Sequence, residues 1–267
     1  MLVHLARILV FPIKSLDGVV VEEVRITPGG ILENDRIYAM VDAEGKTVNG
    51  KRDPRALQLR TRFDAAFGEV ALAGPGSGGE KAFGLAQPGP LGRWLSDYFG
   101  FAVTLIREPR SGFPDDRKAP GPTVVAEPSL RAVMEWYPGL TLENVRRRFR
   151  SNLELAGPHL PPFWDDRLFG EPGTLTPFQI GEVRLSGHNP CQRCTVPARD
   201  PETSETLPDF QKEFMARRRA TLPPWANAER FNHTYRLAVN TSILPAEAGK
   251  RLRRGDPVAL ADQAIPV

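Results

Sequence analysis

The chain has 267 residues, 41% hydrophobic and 25% charged, with a formal net charge of +3. That composition excludes disordered and fibrous classes and describes a globular protein of one large domain or two that share an interface. The mild basic excess admits an anionic ligand without asking for nucleic acid, no apolar run approaches a membrane span of roughly 20 residues, and two cysteines exclude a disulfide framework and point to a reducing, cytoplasmic setting.

The start, MLVHLARILVFPIKS, has an apolar stretch without a small-residue cleavage pattern, and reads as a first strand and not as a signal peptide. Residues 3–13, 19–30, 36–50 and 57–65 are strand-like runs separated by turn residues, and DAEG at 42–45 is a tight turn of the hairpin kind. Residues 68–80 add a strand and a Gly-rich surface loop. The opening third thus predicts a small antiparallel sheet or barrel. A helix follows over 89–100, with Leu91, Trp94, Leu95, Tyr98 and Phe99 on one face and Gly100 as its stop. Residues 101–109 return to strand, and the polar, Pro- and Gly-rich stretch 110–122 marks a boundary between halves.

Residues 122–139 read as a short strand and then a helix capped near Ser129 and ended by Pro138. The second half is strand-rich again, over 146–157, 174–188, 235–243 and 256–262, with one short amphipathic helix over 209–220. With 26 prolines and 24 glycines the chain is no helix bundle. The expected class is α+β, mostly β, with units over 1–110 and 111–267.

The only cysteines lie in HNPCQRCTVPARDPET, where His188, Cys191 and Cys194 make H-x-x-C-x-x-C. Structural zinc needs four ligands, and His4, His159 and His233 form no second pair. A redox pair needs a helix after Cys194, and TVPARDPET with its two prolines disfavours one. Two plain buried thiols, or a single thiolate ligand to a soft or high-valent metal, both stay open, the plain reading ahead.

Basic residues recur at strand ends: Lys14 with Ser15, Arg36 after Asp35, and RRRFRSN, where period-2 alternation puts Arg148, Arg150 and Asn152 on one face of a strand entrance. Arginine forks and lysine charges suit phosphate. Arg217 to Arg219 and the Arg251, Arg253, Arg254 run read as solvated surface. Dinucleotide, P-loop, nucleophile-elbow and HExxH patterns are absent.

Taken in order, FPIKSLDGVV, NDRIYAMV, KRDPRAL, RFRSNLEL, FWDDRLFG, CQRCTVPARDPET and RRGDPVAL resemble the MOSC family (molybdenum cofactor sulfurase C-terminal) with its N-terminal β-barrel region, nearest to the mitochondrial amidoxime-reducing component and its bacterial relatives. The resemblance covers nearly the whole chain. It implies a MOSC-type β-barrel beside a small N-terminal barrel-like region, with a molybdenum–molybdopterin cofactor between them. It implies that Cys194 ligates the metal, and that Lys14, Ser15, Arg36, Arg150, Asn152, Arg193 and Tyr235 hold the cofactor. The family's W-D falls on Trp164 and Asp165, and Asp165 or a bound water is the expected proton donor.

The implied activity is reduction of a small N-hydroxylated or otherwise N-oxygenated substrate. Two cysteines cannot supply the four of a fused 2Fe–2S domain, so electrons come from a separate ferredoxin, cytochrome or flavin reductase type of protein. The segment KAPGPTVVAEPSL departs from the family in having no hydroxyl where a contact is expected, and DPETSE lacks a family glycine. Two rival readings are a molybdenum cofactor carrier or sulfur-transfer protein acting through Cys194, and a zinc-stabilised binding module.

Overall fold

β1 (His4–Val10) buries Leu5, Ile8 and Val10, as a half-buried strand does. It pairs antiparallel with β2 (Val19–Val21) on one side and with β10 (Leu153–Ala156) on the other. β10 runs parallel to β9 (Val124–Ala126). Parallel neighbours need a long crossover, and residues 127–152 supply it through α2 (Glu127–Trp136) and α3 (Leu142–Phe149). Past β9 the sheet continues through β13 (Arg236–Ser242), β12 (Val183–Gln192), β11 (Thr174–Ile180) and β15 (Val258–Leu260). The structure, a computed structural model, describes residues 3–261 and 265–266. The segment leading into β15 also meets β1, through a bridge between His4 and Pro257 and hydrogen bonds from Leu5 N to Asp256 O (2.8 Å) and from Val258 N to Val3 O (2.9 Å). With β3 (Glu23–Arg25) paired to β14 (Arg251–Arg253), the sheet surrounds a core that includes Leu5, Ile8, Leu153, Phe178, Val239 and Leu252.

A second core belongs to the N-terminal third. β4 (Tyr38–Val41) pairs with β8 (Thr104–Arg107), and β5 (Arg60–Phe63), β6 (Glu69–Ala73) and β7 (Lys81–Gly84) form a meander. α1 (Gly89–Phe99) covers both with Leu91, Trp94, Leu95 and Phe99, and Gly100 (φ 71°) ends it by donating to the Ser96 carbonyl. A third core joins α2, α3 and α4 (Phe210–Ala220) through Leu130, Val133, Val145, Phe149 and Phe214. The α+β, mostly β class stands. β1 and β2, although they open the chain, lie in the sheet built by its second half.

Three expectations of detail fail for local reasons. Residues 146–157 are not one strand, because Arg146 to Phe149 form the last turn of α3. Thr141 caps that helix by accepting from the Asn144 amide, and three arginines complement the negative end of its dipole. Arg148, Arg150 and Asn152 therefore do not share a strand face. Residues 174–188 are two strands, turned at Gly181 (φ 55°). The helix expected to be capped at Ser129 starts two residues earlier, and Ser129 is buried within it for another purpose, described below.

Candidate functional site

Segments from both halves of the chain line a cleft with a cavity volume of about 170 Å3. Six cations line it, Lys14, Arg36, Lys51, Arg148, Arg150 and Arg193, against two carboxylates, Asp115 and Asp116. Ser15, Cys191 and Cys194 also line it. Low-dielectric walls of one sign concentrate anions.

Backbone bends place the cations. Lys14 ends the strand run of β1, with its amide donating to the Tyr38 carbonyl (2.8 Å). Ser15, Arg36 and Arg150 all have left-handed φ, at 78°, 51° and 54°. For non-glycine residues this costs of order 1 kcal/mol each and persists where surroundings enforce it. At Arg36 the amide donates to Phe11 O (2.7 Å) and the carbonyl accepts from Phe113 N (2.9 Å). Arg150 is the C-cap of α3; its amide donates to Arg146 O, and its guanidinium donates to Leu16 O (2.5 Å) and lies 4.3 Å from the centre of the Phe11 ring. Burial pushes Arg150 down to about 10, with Asp17 opposing, so it stays charged at neutral pH.

A buried carboxylate underlies this arrangement. Asp35 Oδ1 accepts from the Phe11 amide (2.8 Å) and from Asn152 Nδ2 (3.0 Å), while Oδ2 faces Arg36 Nη1 at 3.3 Å. The D of the D-R pair is thus scaffold and the R faces the cleft.

The thiols arrive at the end of β12. Cys191 lies on that strand and Cys194 just past it, where the Arg193 amide donates to Tyr235 O (3.0 Å). Arg193 turns back across the Phe149 ring, donating to Phe149 O and, through Nη1, to Cys191 Sγ at 3.1 Å. Arg148 fixes the following loop by donating to Pro197 O (3.0 Å) and pairing with Asp200 (3.1 Å). Arg60 and Gln58 of the N-terminal unit grip the same loop at Pro201 O and Thr203 O. His188 hydrogen-bonds to Ser242 (2.7 Å), and among the described residues no three His, Cys, Asp or Glu side chains cluster to hold a metal ion, so the zinc-module reading has no ligand set.

Three expected site residues stand outside the cleft lining. Asn152 is fully buried, with its amide committed to Thr123, Leu9 O and Asp35. Tyr235 is buried behind the thiol loop, edge-on to Phe214; burial pushes its pKa up, and its hydroxyl has no partner among the described residues. Asp165 is also away from the lining. It is 1% exposed, and one carboxylate oxygen accepts from the Ala126 amide (3.1 Å) and the Ser129 hydroxyl (2.6 Å). Ser129 in turn accepts from Phe163 N, so the W-D pair fixes the 3-10 turn Trp164–Leu168 against α2.

Beside it, Asp166 pairs with the buried Arg218 (2.5 Å), whose guanidinium lies between the Phe163 and Phe231 rings. Two adjacent buried carboxylates share this one cation, so burial pushes both up, Asp166 to about 7. An acid whose folded pKa lies above its unfolded value binds more protons folded than unfolded. Asp166 therefore favours the fold least above pH 7, and stability rises as pH falls from about 7 toward 4. Thermal melts between pH 5.5 and 8.5 should show a midpoint that falls as pH rises, and Asp166→Asn should flatten that slope; an unchanged slope in the variant refutes the assignment.

Asp115, Asp116, Lys51, Thr123 and Asn240 line the cleft without having been expected. Thr123 brings a hydroxyl to the cleft wall, donating to Asn152 Oδ1 (3.2 Å). A hydroxyl just before a short apolar strand was the available signal. Asp115 and Asp116 sat in a stretch that reads as linker.

Family comparison matches the MOSC N-terminal beta barrel domain over residues 2–87 and the MOSC domain over residues 123–259. No curated protein matches the chain. Among solved structures it is similar to the YuaD protein from Bacillus subtilis, at 11% identity and TM-score 0.37, over 97% of this chain and 96% of that one. It is also similar to YiiM from Geobacillus stearothermophilus (16%, TM-score 0.32, 53% and 54%) and to a hypothetical protein (12%, TM-score 0.41, 98% and 69%). With the two family matches falling on either side of the cleft, the chain belongs to the MOSC-domain family, in the form that carries the MOSC N-terminal barrel domain.

Proposed function

We propose that the cleft binds a molybdenum–molybdopterin cofactor and that the protein is an oxidoreductase for small N-hydroxylated or N-oxygenated compounds, with electrons from a separate donor protein. One observation carries the reading: cations from three distant segments, Lys14, Arg36 and Arg150, line the same cleft as the Cys194 thiol. A phosphate-bearing, sulfur-ligated group needs a multipoint cationic grip and one soft ligand, and the donor set fits. In this reading the N-terminal unit spans 1–110 and the MOSC unit 111–267.

Lys14, Ser15, Arg36 and Arg150 would hold the phosphate and pterin, and Cys194 the metal. Arg193 keeps the loop at Cys194 rigid through Phe149 O and Tyr235 O. Tyr235 and Asn152 act as positioning residues, Asn152 through Asp35. When bound, the group supplies two-electron oxygen-atom transfer. The overall change, R–NHOH with two electrons and two protons giving R–NH2 and water, balances with the donor as reductant.

The test is metal and pterin analysis of protein from a molybdenum-replete host, followed by reduction of an N-hydroxylated amidine with a chemical reductant. About one molybdenum per chain with oxidisable pterin, and amidine formed, are expected. Metal-free protein with no pterin, carrying sulfane sulfur on Cys194, would instead favour the sulfur-transfer reading. That second reading draws on the presence of both thiols in the cleft, with the Arg193 guanidinium against Cys191.

A further inference from the structure

The segment between β8 and β9 crosses the cleft mouth as a strap. On its near side Phe113 N donates to Arg36 O (2.9 Å), and on its far side Gly121 N donates to Thr241 O (2.9 Å). Both ends are tight: a Cβ on Gly112 would meet the Asp35 and Arg36 carbonyls at 3.1 Å, and one on Gly121 would meet Thr241 O at 2.8 Å. Between them several residues are open to solvent. Asp115, Arg117 and Lys118 are exposed, and the Asp115 side chain is 78% accessible.

This strap consumes the donors of Lys14. An ammonium has three N–H groups, and Nζ of Lys14 contacts Phe113 O (2.9 Å), Pro114 O (3.3 Å) and Asp115 Oδ1 (2.8 Å). A cation so engaged cannot also grip an external phosphate. The Asp115 carboxylate feels more than Lys14: loss of solvent on its protein-facing side raises its pKa, but Arg36, Lys14 and Arg150 outweigh that and hold it at about 2. Asp115 is thus a permanent anion set among the cations that line the cleft. Its neighbour Asp116 makes no ion pair among the described residues; one of its oxygens accepts from the Lys118 amide (2.9 Å).

We propose that Phe113–Asp115 is a built-in competitor, its carboxylate holding among Lys14, Arg36 and Arg150 the position that a ligand's phosphate takes, so that binding displaces the strap. The inference rests on the reading of the cleft as a site for a phosphate-bearing group. Exposed ion pairs contribute little, so a dianion with several oxygens displaces a single carboxylate readily. Displacement also frees the middle of the strap while its tight ends hold. Asp115 therefore sets how strongly the cleft discriminates against weaker monoanions.

Inorganic phosphate is the probe, with binding measured by calorimetry and strap mobility by amide hydrogen exchange over residues 113–120. Asp115→Asn should bind phosphate about tenfold more tightly than wild type, the scale of one charge pair in a partly screened site. Asp116→Asn, with the same change in charge, should stay within about twofold. Phosphate should speed exchange over the strap in wild type and speed it less in Asp115→Asn, where only the Phe113 and Pro114 carbonyls remain on Lys14. Equal gains in the two variants, or a strap that phosphate slows in wild type, would overturn the competitor while leaving the anion site standing. If neither wild type nor Asp115→Asn binds phosphate, and Lys14→Ala and Arg150→Ala behave alike, the cofactor reading falls as well.

Discussion

Cys194→Ser is expected to keep its pterin near the wild-type level and to lose at least about a hundredfold of its N-reductive rate. The two halves of that result come from different parts of the cleft. The anionic part of the proposed cofactor is held by Lys14, Arg36 and Arg150, none of which hydrogen-bonds to residue 194. The metal would depend on the sulfur itself, and a serine hydroxyl is a hard, weakly acidic donor in its place. Pterin fluorescence after oxidation, metal content and substrate turnover separate the three quantities. Full activity in the variant would refute Cys194 as ligand. Loss of pterin together with activity would mean instead that the thiol loop, and not the cationic wall, carries most of the binding.

How far this site was legible follows from the range of the contacts that make it. Lys14, Arg36 and Cys194 stand at strand ends or in a short motif, and the element containing each was read in nearly the right place. Arg150 lines the cleft from another element than expected: RRRFRSN reads as a strand, whereas the Thr141 cap and the helix dipole make it the end of α3. The residue still reaches the cleft because a left-handed C-cap redirects it, a conformation that arginine does not advertise. Asp165 is the opposite case, placed away from the cleft lining. Its local motif was recognised, but its surroundings are set by Ser129 and Ala126, 36 and 39 residues away. Asp115 was invisible for the same reason, since its strap meets Lys14 across about 100 residues of chain.

Asp35→Ala is the substitution expected to damage the fold and the site together. The carboxylate is 5% exposed and gathers three segments: the end of β1 at Phe11, the approach to β10 at Asn152, and the turn that carries Arg36. Alanine leaves the Phe11 amide and one Asn152 N–H without an acceptor, and leaves the Arg36 guanidinium, itself only 12% accessible, without its nearest counter-charge. Removing one partner from a buried, hydrogen-bonded ion pair costs about 3–5 kcal/mol. For a chain of this size that is a fall of about 10 °C in Tm. Asp35→Asn keeps a side-chain oxygen for the Phe11 amide but not the charge, and should lose less than half as much. The site effect is separable from the stability effect. Well below either melting point, Asp35→Asn should bind inorganic phosphate more weakly than wild type, although removing a negative charge beside the cleft would by simple attraction strengthen it. Weaker binding means that Asp35 acts by aiming Arg36 and fixing Asn152. Stronger binding would show that its charge, and not its three hydrogen-bonded partners, is what the cleft feels.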